Sequence, residues 1–294
     1  MTPDFQNDPK TLVSTEWLAQ HLGDDTVRVL DASWYLPTSG RDAQAEYRSA
    51  HIPGAQFFDI DEISDTSTDL PHMAPPPAKF ASRMRGLGLG DGDQVVVYDG
   101  SGLFSAARVW WLFRLMGKPD VAVLDGGLPK WLAEGHAVDA AVPAVAARHF
   151  TPSPQNRHVA TMADVTLAAR SGTAAILDAR SAARFAGDAP EPRPGLRGGH
   201  IPGSQSLAYT AVLAPDGTMK PVDALRRIFA GLGVVADRPV ITTCGSGVTA
   251  AVLSLALERA GHTDHALYDG SWSEWGGVAQ NEVETGPGPA GAKE

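Results

Sequence analysis

Val95-Val-Val-Tyr-Asp-Gly-Ser-Gly-Leu-Phe-Ser-Ala106 lies without a gap over Val240-Ile-Thr-Thr-Cys-Gly-Ser-Gly-Val-Thr-Ala-Ala251, at an offset of 145 residues. In both copies a short β-branched run stops at an acid or a cysteine, passes through Gly-Ser-Gly, and enters a helix-like apolar stretch. That pattern reads as a buried strand, a tight turn and a helix N-terminus. Further pairs follow in the same order: Leu30-Asp-Ala32 with Leu177-Asp-Ala179, His51-Ile-Pro-Gly54 with His200-Ile-Pro-Gly203, and Gly86-Leu-Gly88 with Gly231-Leu-Gly233. Asp125-Gly126 before Trp131 likewise matches Asp269-Gly270 before Trp275. The chain is a tandem duplication, and its 294 residues suit two domains.

The spacing predicts strands over 27–30, 95–98, 121–124, 174–177, 240–243 and 265–268, with helices over 105–116 and 249–260 ending at Gly117 and Gly261. Strand and helix alternate, so each domain is expected to be α/β, a mostly parallel sheet flanked by helices. Residues 1–142 form the first domain and 158–280 the second. Between them 143–157, with Pro143, Pro152 and Pro154, reads as an extended linker. The Gly/Pro-rich stretch 281–294 reads as a flexible tail.

Composition narrows the function classes. Hydrophobic residues at 43% and charged residues at 20% are globular proportions. Lys and Arg number 24 against 34 Asp and Glu, a net charge of −10, which argues against a nucleic-acid or anionic-membrane partner. The N-terminus lacks an apolar signal segment and no apolar run is long enough to span a bilayer, so the expectation is a cytoplasmic protein. One cysteine excludes an intrachain disulfide and a multi-cysteine zinc site.

That cysteine, Cys244, ends a strand, and Gly245-Ser-Gly-Val-Thr-Ala leads into a helix. The ends of parallel strands form the active-site rim of open α/β sheets. A glycine-bearing loop there turns successive N–H groups inward and favours a thiolate. The first copy has Asp99 at the cysteine position, so the fold itself does not require cysteine; the first copy reads as catalytically empty. A dinucleotide fingerprint on Gly245-x-Gly247-x-x-Ala250 comes late in its domain and is broken in the first copy by Ser105. A cysteine phosphatase needs Cys-x5-Arg, and the sixth position after Cys244 is Ala250. His51 and His200 recur in both copies and read as structural, and His262-x-x-His265 with Asp264 reads as loop histidines rather than a metal site.

Cys244-Gly-Ser-Gly-Val-Thr-Ala250, the duplicated His-Ile-Pro-Gly motifs and the empty first copy resemble the two-domain rhodanese family, on its mercaptopyruvate-using branch. The resemblance runs from about Thr15 to Trp275 and includes Val29-Leu-Asp-Ala-Ser-Trp-Tyr-Leu-Pro37, Phe57-Phe-Asp-Ile-Asp61, Arg108-Val-Trp-Trp111, Glu191-Pro-Arg193 and Tyr268-Asp-Gly-Ser-Trp272. It implies a sulfurtransferase in which Cys244 becomes a persulfide and passes the outer sulfur to cyanide or to a thiol such as thioredoxin, with no cofactor and no metal. Thiosulfate-using relatives carry Arg and Lys after the cysteine; Gly245 and Ser246 are neutral here, which suits the monoanion 3-mercaptopyruvate. The resemblance assigns Arg184 and Arg193 to the donor carboxylate and Gly245, Gly247, Val248 and Thr249 to the sulfur-binding loop. It also implies a proton relay from Asp61 and His72 to Ser246. Phe104 departs from the tyrosine common in relatives. Thiosulfate sulfurtransfer, or a non-catalytic persulfide carrier, are the alternatives.

Overall fold

The computed structural model describes residues 7–235 and 238–288. β1 (Leu12–Val13), β2 (Val27–Asp31), β3 (Gln56–Phe57), β4 (Gln94–Tyr98) and β5 (Val121–Leu124) make one parallel sheet in the order β1-β5-β4-β2-β3. β6 (Val159–Ala160), β7 (Ala175–Asp178), β8 (Gln205–Ser206), β9 (Val240–Thr243) and β10 (His265–Tyr268) make a second with the same topology, β6-β10-β9-β7-β8. The central strands β4 and β9 carry the repeated motif. Val95, Val96 and Val97 are wholly buried, as expected of a parallel strand covered on both faces. All six strands expected from spacing are present within a residue of their limits. The two-residue edge strands β1, β3, β6 and β8 escape any periodicity because they are too short to show one.

The central strands feed the helices Ala106–Leu115 and Ala250–Ala260. The second ends at Gly261, whose φ of 90° is the left-handed turn that closes a helix and that a Cβ would oppose. His51 and His200 are buried beside their repeats' core, and Nδ1–H of each donates to a backbone carbonyl, Tyr47 O at 2.7 Å and Phe185 O at 2.9 Å. No helix among the described residues is long and apolar enough to cross a membrane.

The chain divides into two compact units whose limits differ from those of the sequence repeats. The first holds the described residues to Asp65, Ala74–Gln155 and Pro215–Met219; the second holds Thr66–Met73, Asn156–Ala214 and the described residues from Lys220 onward. Two short loops therefore belong to the unit opposite their own repeat. Met219 N–H donates to the buried Asp125 carboxylate at 2.7 Å, which ties its loop into the first unit. The expected linker 143–157 is extended, but it is fastened to the first unit down to Gln155. Phe150 is buried against Phe80 and Phe113, and the N–H groups of Ser153 and Gln155 donate to Met116 O and Leu115 O. The expected flexible tail is held to the second unit in its first part, where Glu284 bridges His200 and Gly286 N–H donates to Ala186 O at 2.9 Å. Residues 289–294 lie outside the described residues.

Asp99 follows β4 and is wholly buried in the first unit. Its carboxylate accepts the N–H groups of Ser101 at 2.8 Å, Phe104 at 2.8 Å and Ala106 at 2.9 Å. Burial pushes the carboxyl above its ordinary range, and the N–H groups of Ala106, Phe104, Ser101 and Ser105 pull it part of the way back. The loop is thus an anion cradle filled by its own side chain. Asp99→Asn turns an amide NH2 toward backbone N–H donors, and we expect it to lower the unfolding free energy by about 1–3 kcal/mol. Denaturant unfolding reads this directly; an unshifted midpoint would remove the charge from the account of this loop.

Candidate active site

Cys244 occupies the same place after β9 and is 2% exposed. The backbone on either side of it is clamped by the start of the helix Ser271–Trp275. Trp272 N–H donates to Cys244 O at 2.9 Å and Ser273 N–H to Gly245 O at 2.9 Å, joined by the Ser273 hydroxyl at 2.7 Å. Cys244 N–H in turn donates to Ser271 Oγ at 3.3 Å, while the Ser271 hydroxyl donates to Tyr268 O. Ser271 holds a φ of 49°, a left-handed conformation unusual for a residue with a Cβ. In the first unit the repeat places Gly127 there, at φ 53°. A serine in a glycine conformation, with its hydroxyl on the cysteine backbone, is a strained feature serving the site.

The repeat register makes Ser246, Thr249 and Ala251 the counterparts of the three residues whose N–H groups hold Asp99. Gly245, Gly247, Val248 and Thr249 lie in the corresponding stretch of the second repeat. Ser246 is 6% exposed, and its Oγ lies 3.0 Å from Nδ1 of His72, itself 6% exposed. His72 comes from Thr66–Met73, the first-repeat loop that belongs to the second unit. Its φ of 62° is again left-handed. The helices Pro77–Gly86 and Val222–Gly231 set the repeat register here and pair His72 with Gly217, which is also left-handed at φ 81°, so the first unit lacks this imidazole as well as the thiol.

Arg184, in the helix Ala182–Ala186, reaches over Gly245. A Cβ built at Gly245 would lie 2.9 Å from Arg184 Nη2 and 4.0 Å from Nη1, so the bare glycine is what admits the guanidinium. Arg184 is also paired within the protein. Its Nε and Nη2 donate to the two oxygens of Glu191, whose side chain is 1% exposed. Glu191 also accepts Nη1 of Arg180 at 2.8 Å, and Arg180 forks onto Asp178 with Nη2–Oδ2 at 2.6 Å. Arg180 is wholly buried over the Trp272 ring, 4.3 Å from its centroid. Burial works against its charge, but Asp178 and Glu191 outweigh that and raise its pKa. Sequence reasoning passed over Asp178, Arg180, Glu191 and Ser271; Glu191 stood in a quoted motif without a role.

Of the expected site residues, the second unit brings together Cys244, Gly245, Ser246, Gly247, Val248, Thr249, His72 and Arg184. Arg193 lies half-buried in the loop after Glu191. Asp61 belongs to the first unit, where its carboxylate accepts Trp34 Nε1–H at 3.0 Å. His265 opens β10 rather than lying in a loop, and its Nε2 pairs with Glu258 at 3.1 Å. Among the described residues no three His, Cys, Asp or Glu groups are arranged to hold a metal ion.

The Ser271 geometry sets an expected order of stability. Ser271→Gly loses the hydroxyl acceptor but keeps the φ, whereas Ser271→Ala loses both. Alanine is therefore expected to be the less stable by about 1–2 kcal/mol, the cost of a left-handed Cβ. Paired chemical-denaturation curves check it, and an alanine variant as stable as the glycine one contradicts the strain.

Comparison with known proteins agrees with this geometry. A family model described as the rhodanese-like domain matches residues 14–134 and again 161–277. The 3-mercaptopyruvate sulfurtransferase of Escherichia coli (strain K12) is 44% identical over 273 residues, covering 92% of this chain and 97% of that protein. Thiosulfate/3-mercaptopyruvate sulfurtransferase 1, mitochondrial, of Arabidopsis thaliana is 45% identical over 285 residues, covering 90% of this chain and 75% of that protein. The crystal structure of SseA from Escherichia coli, described as showing the rhodanese fold and catalytic mechanism of 3-mercaptopyruvate sulfotransferases, superposes with a TM-score of 0.81. It is 41% identical and covers 89% of this chain and 98% of its own. With two rhodanese-like domains, one holding a cysteine where the other holds an aspartate, the chain belongs to the rhodanese family and is a sulfurtransferase.

Proposed function

We propose that this chain moves the sulfur of 3-mercaptopyruvate through a persulfide on Cys244 to a thiol or cyanide. One observation carries the reading. A cysteine loop built like the Asp99 anion cradle has neutral residues beside the nucleophile and one arginine, Arg184, held over Gly245. Thiosulfate, a dianion, would find no cation at Gly245 or Ser246. A monoanionic α-keto acid needs a single fork for its carboxylate, which a guanidinium supplies.

In the reaction the Cys244 thiolate attacks the donor sulfur. The sulfur–carbon bond breaks, its electron pair passes into the enolate of pyruvate, and the proton of the donor thiol becomes the third methyl hydrogen. The products are a Cys244 persulfide and pyruvate. Inward N–H groups of the loop stabilise both the thiolate and the persulfide, electrostatic help that involves no reorganisation during reaction. The Ser246–His72 pair, 3.0 Å apart and almost closed to solvent, is the route by which the proton reaches the enolate. Arg184, with Arg193 from the adjoining loop, takes the donor carboxylate. A thiol such as thioredoxin, or a small thiol, then removes the outer sulfur and regenerates Cys244. A lone working thiol with no disulfide partner suits a reducing compartment such as the cytoplasm.

Intact mass after brief exposure to 3-mercaptopyruvate is expected to rise by one sulfur atom, with pyruvate released catalytically once a thiol is added. Cys244→Ser should show neither. Loading from thiosulfate alone would transfer the assignment to the other donor, and loading without turnover would leave a sulfur carrier. Gly245→Ala should fold normally, since the atom it strikes is the far end of a flexible side chain. It displaces Arg184 and is expected to lower kcat/KM for 3-mercaptopyruvate by roughly ten- to a hundredfold, the scale of a small misplacement. Steady-state kinetics with an unchanged kcat/KM would separate Gly245 from donor binding.

A further inference from the structure

Asp178, Arg180, Glu191 and Arg184 form a chain of alternating charge that runs from the end of β7 to the cysteine loop. Its inner members are fixed on every side. Arg180 donates to both Asp178 oxygens, to Glu191 and to Gly199 O, and lies over Trp272, whose N–H holds Cys244 O. Only Arg184 at the outer end has solvent access, with 23% of its side chain exposed. Glu191 binds Arg184 side-on, through Nε and Nη2, so the edge formed by Nη1 and the second Nη2 hydrogen is turned from the carboxylate toward Gly245.

We infer that Glu191 is a positioning residue for sulfur transfer, which aims the Nη1–Nη2 edge of Arg184 at the donor carboxylate over the cysteine loop. The inference rests on the reading of Arg184 as the carboxylate anchor. Glu191 cannot act by attraction, because its charge opposes that of a bound carboxylate. Its contribution is direction: a free arginine side chain samples many rotamers, and the fork matches a carboxylate in one plane only. Fixing that plane sets where the donor sulfur meets Cys244, so the effect belongs in the chemical step. Loss of the Glu191 charge should leave a guanidinium that still attracts carboxylates but no longer aligns them.

The test is a double-mutant cycle in the full-length enzyme with 3-mercaptopyruvate as donor, each variant checked by thermal melting. Glu191→Gln, nearly isosteric, is expected to lower kcat by roughly ten- to a hundredfold with KM unraised, the signature of lost alignment. Arg184→Ala is expected to raise KM instead. The double variant should be no worse in kcat/KM than Arg184→Ala, because Glu191 acts through Arg184. Glu191→Asp keeps the charge but is one methylene short, and should reproduce the kcat loss if the glutamine variant does not fold. Wild-type kcat in Glu191→Gln, or in Glu191→Asp where that variant stands in, overturns the inference. So does a loss that adds in full to that of Arg184→Ala. An unchanged KM in Arg184→Ala strikes the anchor reading itself and is seen separately.

Discussion

A negative atom buried at the end of the central strand is the constraint from which both halves of this molecule follow. In a low-dielectric interior such a charge is tolerated only if polar groups converge on it. The loop after β4 does this with three backbone N–H groups on Asp99. Gly-Ser-Gly curls the chain, and the helix that starts at Ala106 contributes its first N–H groups. The same loop after β9 surrounds a sulfur atom. The first copy keeps the whole construction although it has no nucleophile, because the Asp99 carboxylate takes up its backbone donors.

A second constraint is room above the glycine that follows. In both copies an arginine forked on a glutamate leans over it, Arg41 with Glu46 in the first unit and Arg184 with Glu191 in the second. In the first unit the Tyr35 hydroxyl also crowds the space where a Cβ of Gly100 would stand, and it is fixed there by donating to Glu46 at 2.7 Å. Over Gly245 no such hydroxyl intervenes, and the three atoms nearest to a Cβ built there all belong to Arg184. Among the exchanges that distinguish the copies are Cys244 for Asp99, His72 for Gly217 and Ser271 for Gly127.

The frame was legible because it is periodic and repeated. Six buried strands announce themselves by β-branched runs, and the duplication doubles each signal; the comparison of Asp99 with Cys244 singles out the cysteine more sharply than its burial does. What stayed hidden is of two kinds. Edge strands of two residues carry no period at all. The chain Asp178–Arg180–Glu191–Arg184 is hidden because an ion pair depends on side-chain direction, and alternate charges within fourteen residues look like any solvated loop. Arg184 was found through resemblance, but its partner Glu191 was not. Ser271 was masked for a related reason: nothing in a serine reveals that its φ is 49° until the glycine at its repeat counterpart is set beside it.

His72 shows how far the limits of a compact unit can depart from the limits of a repeat. It lies 174 residues from Ser246, in a loop rich in proline, and its own repeat contains no cysteine. The duplication supplies the explanation. Thr66–Met73 belongs to the second unit and Pro215–Met219 to the first, so each copy of the cradle is completed by a loop encoded in the other repeat. A cut through residues 143–157 would respect the sequence repeat and still remove from Cys244 the imidazole that faces Ser246. The isolated second repeat would then hold the thiol, its loop and the Glu191–Arg184 pair, yet lack the group beside its serine. A first copy that carries no nucleophile thus supplies the side chain that lies against the Ser246 hydroxyl of the second repeat.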